Sequence, residues 1–250
     1  SMSPSIVWAG SRWSLAWHDN RTGNHEIWLA HLSADGTRIG SDIRISAAGD
    51  TSSHPSLVWT GSMLGVSFND DRVDWYTQVF FHLVETGMGV PSDERISDST
   101  NIARYSSLAW TGSEFGVAWE DTRAGSNYEI YFARVSASGS KVGSDIRVTD
   151  ASGNSTDASL AWTGSAYAVA WEDLRDSRYE IYLAILDPTG AQLGSDVRIT
   201  DIIHASDDPT PVWNGDQLGL LWRDRRDGDY EMYFTLVADD GSKLVTDVRL

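Results

Sequence analysis

The chain has 250 residues, 41% of them hydrophobic, a formal charge of −17 and no cysteine. A chain of this length buries enough apolar surface to fold without a staple, and the missing cysteine excludes disulfides and thiolate metal sites. The acidic charge repels phosphate backbones and anionic membranes, so nucleic acid is not an expected partner, and no run of roughly eighteen apolar residues is available to span a bilayer.

The first strand-like segment, Ser5–Trp8, ends on a Trp followed two residues later by Gly10. This W-x-G element returns at Trp59, Trp110, Trp162 and Trp213, at spacings of 51, 51, 52 and 51 residues. Within the third unit four segments rich in β-branched and aromatic residues follow one another: SLAWTG, EFGVAWED, YEIYFARV and SDIRVT. Turn signals separate them at Thr111-Gly112-Ser113, Arg123 to Ser126 and Ser138-Gly139-Ser140. The last unit closes on a strand over Thr246–Leu250. No segment carries a long 3.6-residue stripe, so helix is not expected. Four strands recurring at a fixed period predict the blades of a propeller, because one small twisted sheet cannot bury both faces alone. The expectation is an all-β, five-bladed β-propeller with four antiparallel strands per blade. Its single domain covers 1–250, with blades near 5–55, 56–106, 107–158, 159–209 and 210–250. An arc cut from a larger propeller is the rival architecture.

The pattern SLAWTG, VAWEDxR, YEIY, Gly and SDIRVTD resembles bacterial β-propeller repeats of the TolB-like and WD40-like group across all five units. The resemblance implies architecture rather than activity, since that fold hosts binding, scaffold and enzymatic roles. A sialidase Asp-box is not matched, because Ser33–Gly40 lacks the aromatic that should follow its Asp-Gly turn.

Several polar residues recur in every unit. Asp19, Asp70, Asp121, Asp173 and Asp224 each stand two residues before an Arg, as do Asp42, Asp93, Asp145, Asp196 and Asp247. A Glu precedes the Ile-Tyr-type strand in four units and Gln78 takes its place in the second. Five equivalent copies do not make one asymmetric active site, so these residues are read as loop scaffold held by charge-assisted hydrogen bonds.

Function is sought where the repeat repeats a channel-facing hydroxyl or breaks its own pattern. Ser5, Ser56, Ser107, Ser159 and Thr210 stand three residues before each anchoring Trp and would ring the channel, either capping their own strands or holding a small ligand. Trp75 and Tyr76 form an aromatic pair in a polar loop of the second unit, suited to stacking on a sugar. Glu120 and Glu172 could face one another across adjacent blades, the carboxylate pair that glycoside hydrolysis requires. The loop Asp224–Glu231 offers Asp224, Asp227, Asp229 and Glu231 to calcium, unless Arg225 and Arg226 neutralise them. The six histidines show no metal-binding spacing.

These features favour a non-enzymatic, monomeric binding module for carbohydrate (lectin-like) or protein, using the face shared by the B–C and D–A loops of the blades. The alternatives are a glycosidase at the channel mouth, a calcium-stabilised scaffold and a fragment of a larger propeller. No cofactor is expected beyond that calcium. A bacterial secreted or cell-surface setting is expected, with Ser1-Met2 read as an appended dipeptide and a leader lying before the sequence given.

Overall fold

The computed structural model describes residues 1–46, 49–73, 75–84 and 93–250. These residues form twenty strands and no helix, arranged as five four-stranded antiparallel meanders around one axis, a five-bladed β-propeller. No helix among them is long and apolar enough to cross a membrane. The innermost strands are β1 (Met2–Trp8), β5 (Ser52–Trp59), β9 (Ala103–Trp110), β13 (Ser155–Trp162) and β17 (Ser206–Trp213). Each is followed by a second strand: β2 (Arg12–Asp19), β6 (Leu64–Asp70), β10 (Glu114–Asp121), β14 (Tyr167–Asp173) and β18 (Leu218–Asp224). The Gly of every W-x-G element has a left-handed φ, from 73° at Gly10 to 102° at Gly215, which a side chain adopts only with strain. That requirement explains its recurrence in the hairpin between first and second strands.

The motif WEDxR builds the frame. Trp119 Nε1 donates to Asp121 over 3.0 Å, Arg123 bonds the same carboxylate, and Arg123 Nη1 reaches Asp145 at 2.6 Å. The Arg123 guanidinium also lies 4.4 Å from the centre of the Tyr131 ring, which stacks beside Trp119. Blades four and five repeat this ladder with Trp171–Asp173–Arg175 and Trp222–Asp224–Arg226. The Asp side chains are buried, so the pairing satisfies charges that would otherwise be costly inside the fold.

Between blades, apolar side chains interdigitate. The ring of Phe115 lies where a Cβ on Gly65 would meet it at 2.6 Å, and Tyr167 bears the same relation to Gly116 at 2.4 Å. Such contacts make four inter-blade cores, joining blades one to two, two to three, three to four and four to five. The boundary between blades five and one differs. Leu57, Leu108 and Leu160 are buried, yet Ile6 at the same repeat position is 59% exposed. Ala109 and Ala161 are buried, whereas their counterpart Val212 is 59% exposed. Phe115, Tyr167 and Trp13 each lie against the Trp of their own blade, but Trp13 does not cover Gly219, whose near neighbours are Phe234 and the Val212 carbonyl of its own blade. Closure by packing of every blade on the next was expected from the repeat; four of the five interfaces are built this way.

Candidate functional site

Each innermost strand slips register against its neighbour once, between Met2 and Ser5 in the first blade and between Asp207 and Thr210 in the last. At each slip one non-glycine residue takes a left-handed φ: Ser3 (49°), His54 (51°), Tyr105 (54°), Asp157 (52°) and Asp208 (56°). A bulge re-aims side chains, and here the five residues line one cavity of about 620 Å³ at the mouth of the axis. The cavity opens where the innermost strands begin, on the B–C and D–A side. The five positions share a conformation but not a chemistry. Symmetry supplies the frame, and four kinds of side chain at five equivalent positions supply the site.

A second ring sits behind the first. The backbone N–H of His54 donates to His18 Nδ1 (3.3 Å), that of Tyr105 to Asn69 (2.9 Å), that of Asp157 to Glu120 (3.1 Å) and that of Asp208 to Glu172 (2.7 Å). Every bond crosses a blade boundary, so the second strand of one blade fixes the bulge of the next. The fifth position carries Arg223, a donor with no lone pair to offer Ser3. Arg223 turns instead to Asp208, at 2.8 Å.

Glu120 and Glu172 are therefore not equivalent partners in a symmetric pair. Glu120 is closed off on both sides, with Arg104 Nε at 2.7 Å from one oxygen and the Asp157 amide on the other. Glu172 is 7% exposed and spends one oxygen on Asp208 N, while its other oxygen makes no hydrogen bond among the described residues. Burial, together with the nearby Asp157, Asp207 and Asp208 charges, outweighs that one bond and pushes Glu172 up to about 8. Asp157 is also pushed up, first by desolvation and then by Asp208. On the opposite side His18, His25 and His54 meet ring to ring at 5.2 and 5.3 Å, and Tyr105 lies edge-on to His54 at 4.7 Å. Burial, then His54 and His25, pull His18 down to about 4 and keep it neutral. The mouth thus joins two Asp carboxyl groups to the aromatic side chains of His54 and Tyr105, with the buried Glu172 carboxyl just behind Asp208.

Of the residues singled out in sequence, Thr210 is part of the mouth's wall, while Glu120 and Glu172 stand in the ring behind it, bonded to the backbone of Asp157 and Asp208. Ser5 and Ser107 accept the backbone N–H of Leu57 and Leu160, stitching their blades to the next. Trp75 and Tyr76 lie away from the mouth lining, with Tyr76 in a separate rim groove. In the Asp224–Glu231 loop Asp224, Asp227 and Glu231 are taken by Arg226, Arg249 and the Tyr233 hydroxyl, while Arg225 stacks on Tyr230. Among the described residues no group of three His, Asp or Glu side chains is arranged to hold a metal ion. Sequence reasoning passed over Ser3, His54, Tyr105, Asp157 and Asp208. Their signal is a position five residues before each Trp, and two before the recurring hydroxyl, that changes in chemistry from unit to unit.

The fold and its mouth define a class: a five-bladed propeller with an acidic axial funnel. No protein-family model and no curated protein matches the sequence. Among solved structures the chain is similar to an α-L-arabinanase of Penicillium chrysogenum complexed with arabinobiose, with TM-score 0.63, 13% identity, and 94% and 76% of the two chains covered. It is also similar to an α-L-arabinofuranosidase of Lactobacillus brevis (TM-score 0.58, 10% identity, 98% and 93% covered). A third is the GH43 endo-arabinanase of Bacillus licheniformis (TM-score 0.52, 11% identity, 97% and 96% covered). These likenesses establish the five-bladed architecture. The structural neighbours are glycoside hydrolase propellers, where the repeat motifs had pointed to the TolB-like and WD40-like group.

Proposed function

We propose that the axial funnel hydrolyses glycosidic bonds, with Glu172 as general acid and Asp157 as general base. The observation that carries this reading is Glu172: a carboxylic acid kept neutral near pH 7 by burial among ionised neighbours, directly behind the funnel wall and bonded to the backbone of its Asp208. Two carboxyl groups whose surroundings separate their roles are what glycoside cleavage uses. Glu172 would donate its proton to the departing glycosidic oxygen, while Asp157 takes a proton from the attacking water. Asp208 and Arg223 hold the wall between them, and Tyr105 and His54 offer flat faces to the sugar ring.

The neighbours act on arabinan-type glycans by their names, which makes arabinan and arabino-oligosaccharides the first substrates to try. Hydrolysis, the alternative raised by the sequence, is better supported than passive lectin-like binding. Such a role suits a secreted or surface-exposed protein that meets polymers outside the cell. The test is release of reducing ends from debranched arabinan by the purified chain. Turnover abolished in Glu172→Gln and Asp157→Asn supports the assignment; turnover unchanged in both refutes it.

A further inference from the structure

One arginine on the rim breaks the pattern of ion pairs that the other four blades keep. Arg44, Arg147, Arg198 and Arg249 each pair with the Glu that opens the third strand of their blade, Glu26, Glu129, Glu180 and Glu231. Arg147 and Arg198 have a second carboxylate three residues on, Asp150 at 2.6 Å and Asp201 at 2.8 Å. In the second blade Gln78 replaces the Glu. Asp98, three residues after Arg95, is drawn away by Lys141 Nζ of the third blade at 2.6 Å. Arg95 is left with neutral oxygens only: Ser97 O at 2.9 Å, Gln78 Oε1 at 2.9 Å and Ser99 O at 2.8 Å. Its Nη1 bonds nothing among the described residues.

Arg95 is thus the member of this fivefold set whose guanidinium pairs with no carboxylate among the described residues, in a chain with 36 acidic residues. The guanidinium faces a groove of about 450 Å³ lined by Tyr76, Gln78, Arg95, Asp98, Ser99 and Thr100, a volume within the range of small-ligand sites. Trp75, the residue before the groove's Tyr76, is 93% exposed and held at φ 62°, in a turn where the first, fourth and last blades place the smaller Gly23, Ser177 and Gly228 at left-handed φ. An indole presented to solvent on a left-handed turn gains nothing from its own fold. It is placed to cover something.

We propose that this groove binds an acidic sugar, a uronate whose carboxylate pairs with Arg95 and whose ring stacks on Trp75 and Tyr76. One cation with a free in-plane donor fits a single carboxylate. The flat aromatics select a ring rather than a bare anion. This site is independent of the funnel: its ligand need not be cleaved, and its occupancy can be read without turnover.

The test is titration of the full chain with galacturonate, galactose and acetate, followed by the Trp75 indole signal and by calorimetry. Galacturonate is expected to bind at least about ten-fold more tightly than galactose or acetate. Trp75→Ala and Gln78→Glu should each weaken galacturonate at least about ten-fold. Gln78→Glu is the sharper variant, because it rebuilds the Glu–Arg pair of the other four blades and so should fold normally, with an unchanged melting midpoint. Equal galacturonate affinity in wild type and Gln78→Glu would overturn the proposal. So would acetate binding as tightly as galacturonate and indifferent to Trp75→Ala, which describes a bare anion site.

Discussion

The backbone N–H of Asp208 donates to Glu172 Oε1 over 2.7 Å, across the boundary between the fourth and fifth blades. One oxygen of the proposed acid is thereby fixed by the frame, and the proton belongs on the other. Glu172→Gln keeps an acceptor for the amide and loses the proton. Turnover should fall at least about 100-fold while the melting midpoint at neutral pH changes little. The wild-type rate should follow a bell in pH, with its alkaline limb near 8 from Glu172 and its acidic limb above the ordinary Asp range from Asp157. Because the folded state raises Glu172, its contribution to stability is complete below the unfolded value near 4.5 and fades as pH rises through about 8. Denaturant midpoints measured from pH 5 to pH 9 should therefore decline less in Glu172→Gln than in wild type.

His18 gives the opposite sign. Burial, then His54 and His25, depress it to about 4, so its contribution is present above the unfolded value of 6.5 and is lost as pH falls through about 4. Asn69 holds the Tyr105 amide from the same position of the second blade. His18→Asn should preserve the bond to His54 N and move the acid-unfolding midpoint to lower pH, read by near-ultraviolet circular dichroism.

The buried Asp–Arg ladder should matter more than the ion pairs on the rim. Arg175→Ala leaves the fully buried Asp173 without its cation and should cost about 3 kcal/mol in denaturant unfolding. Arg38→Ala removes an exposed pair to Asp42 and should stay within about 0.5 kcal/mol. Burial alone would raise Asp173, but the bonds from Arg175 and Trp171 prevail and lower it. Its contribution is thus present above the ordinary carboxylate range and lost as pH falls, a dependence that Arg175→Ala should flatten.

The open boundary between the fifth and first blades can be read by pairing equivalent substitutions. Leu108→Ala, inside an inter-blade core, should destabilise by about 2–4 kcal/mol. Ile6→Ala, at the same repeat position on the uncovered face, should cost under about 1 kcal/mol. Equal losses in chemical denaturation would mean that the first blade is covered in solution.

The repeat was legible because fixed spacing carries it. Each W-x-G element requires a left-handed Gly, and each WEDxR loop requires the same buried pair, so the sequence repeats what the frame cannot vary. The mouth was not legible for the converse reason. Ser3, His54, Tyr105, Asp157 and Asp208 share only a backbone angle, and variation at such a position looks like drift until the bulge is seen. Glu120 and Glu172 drew notice as carboxylates, but the Arg104 contact that closes the first and spares the second depends on a bulge in the adjacent strand. The uncovered first and fifth blades were equally hidden, since their apolar residues repeat the pattern of the packed ones. Gln78 did stand out as a substitution, and only the neighbouring Lys141 shows what it leaves exposed.

The most direct measurement is the position of a bound sugar. Crystals of the Glu172→Gln variant soaked with an arabino-oligosaccharide should show a glycosidic oxygen within hydrogen-bond reach of residue 172, with Asp157 on the other side of the bond and a sugar ring against Tyr105. A funnel left empty at saturating sugar, or a sugar seated only on the rim, would contradict it.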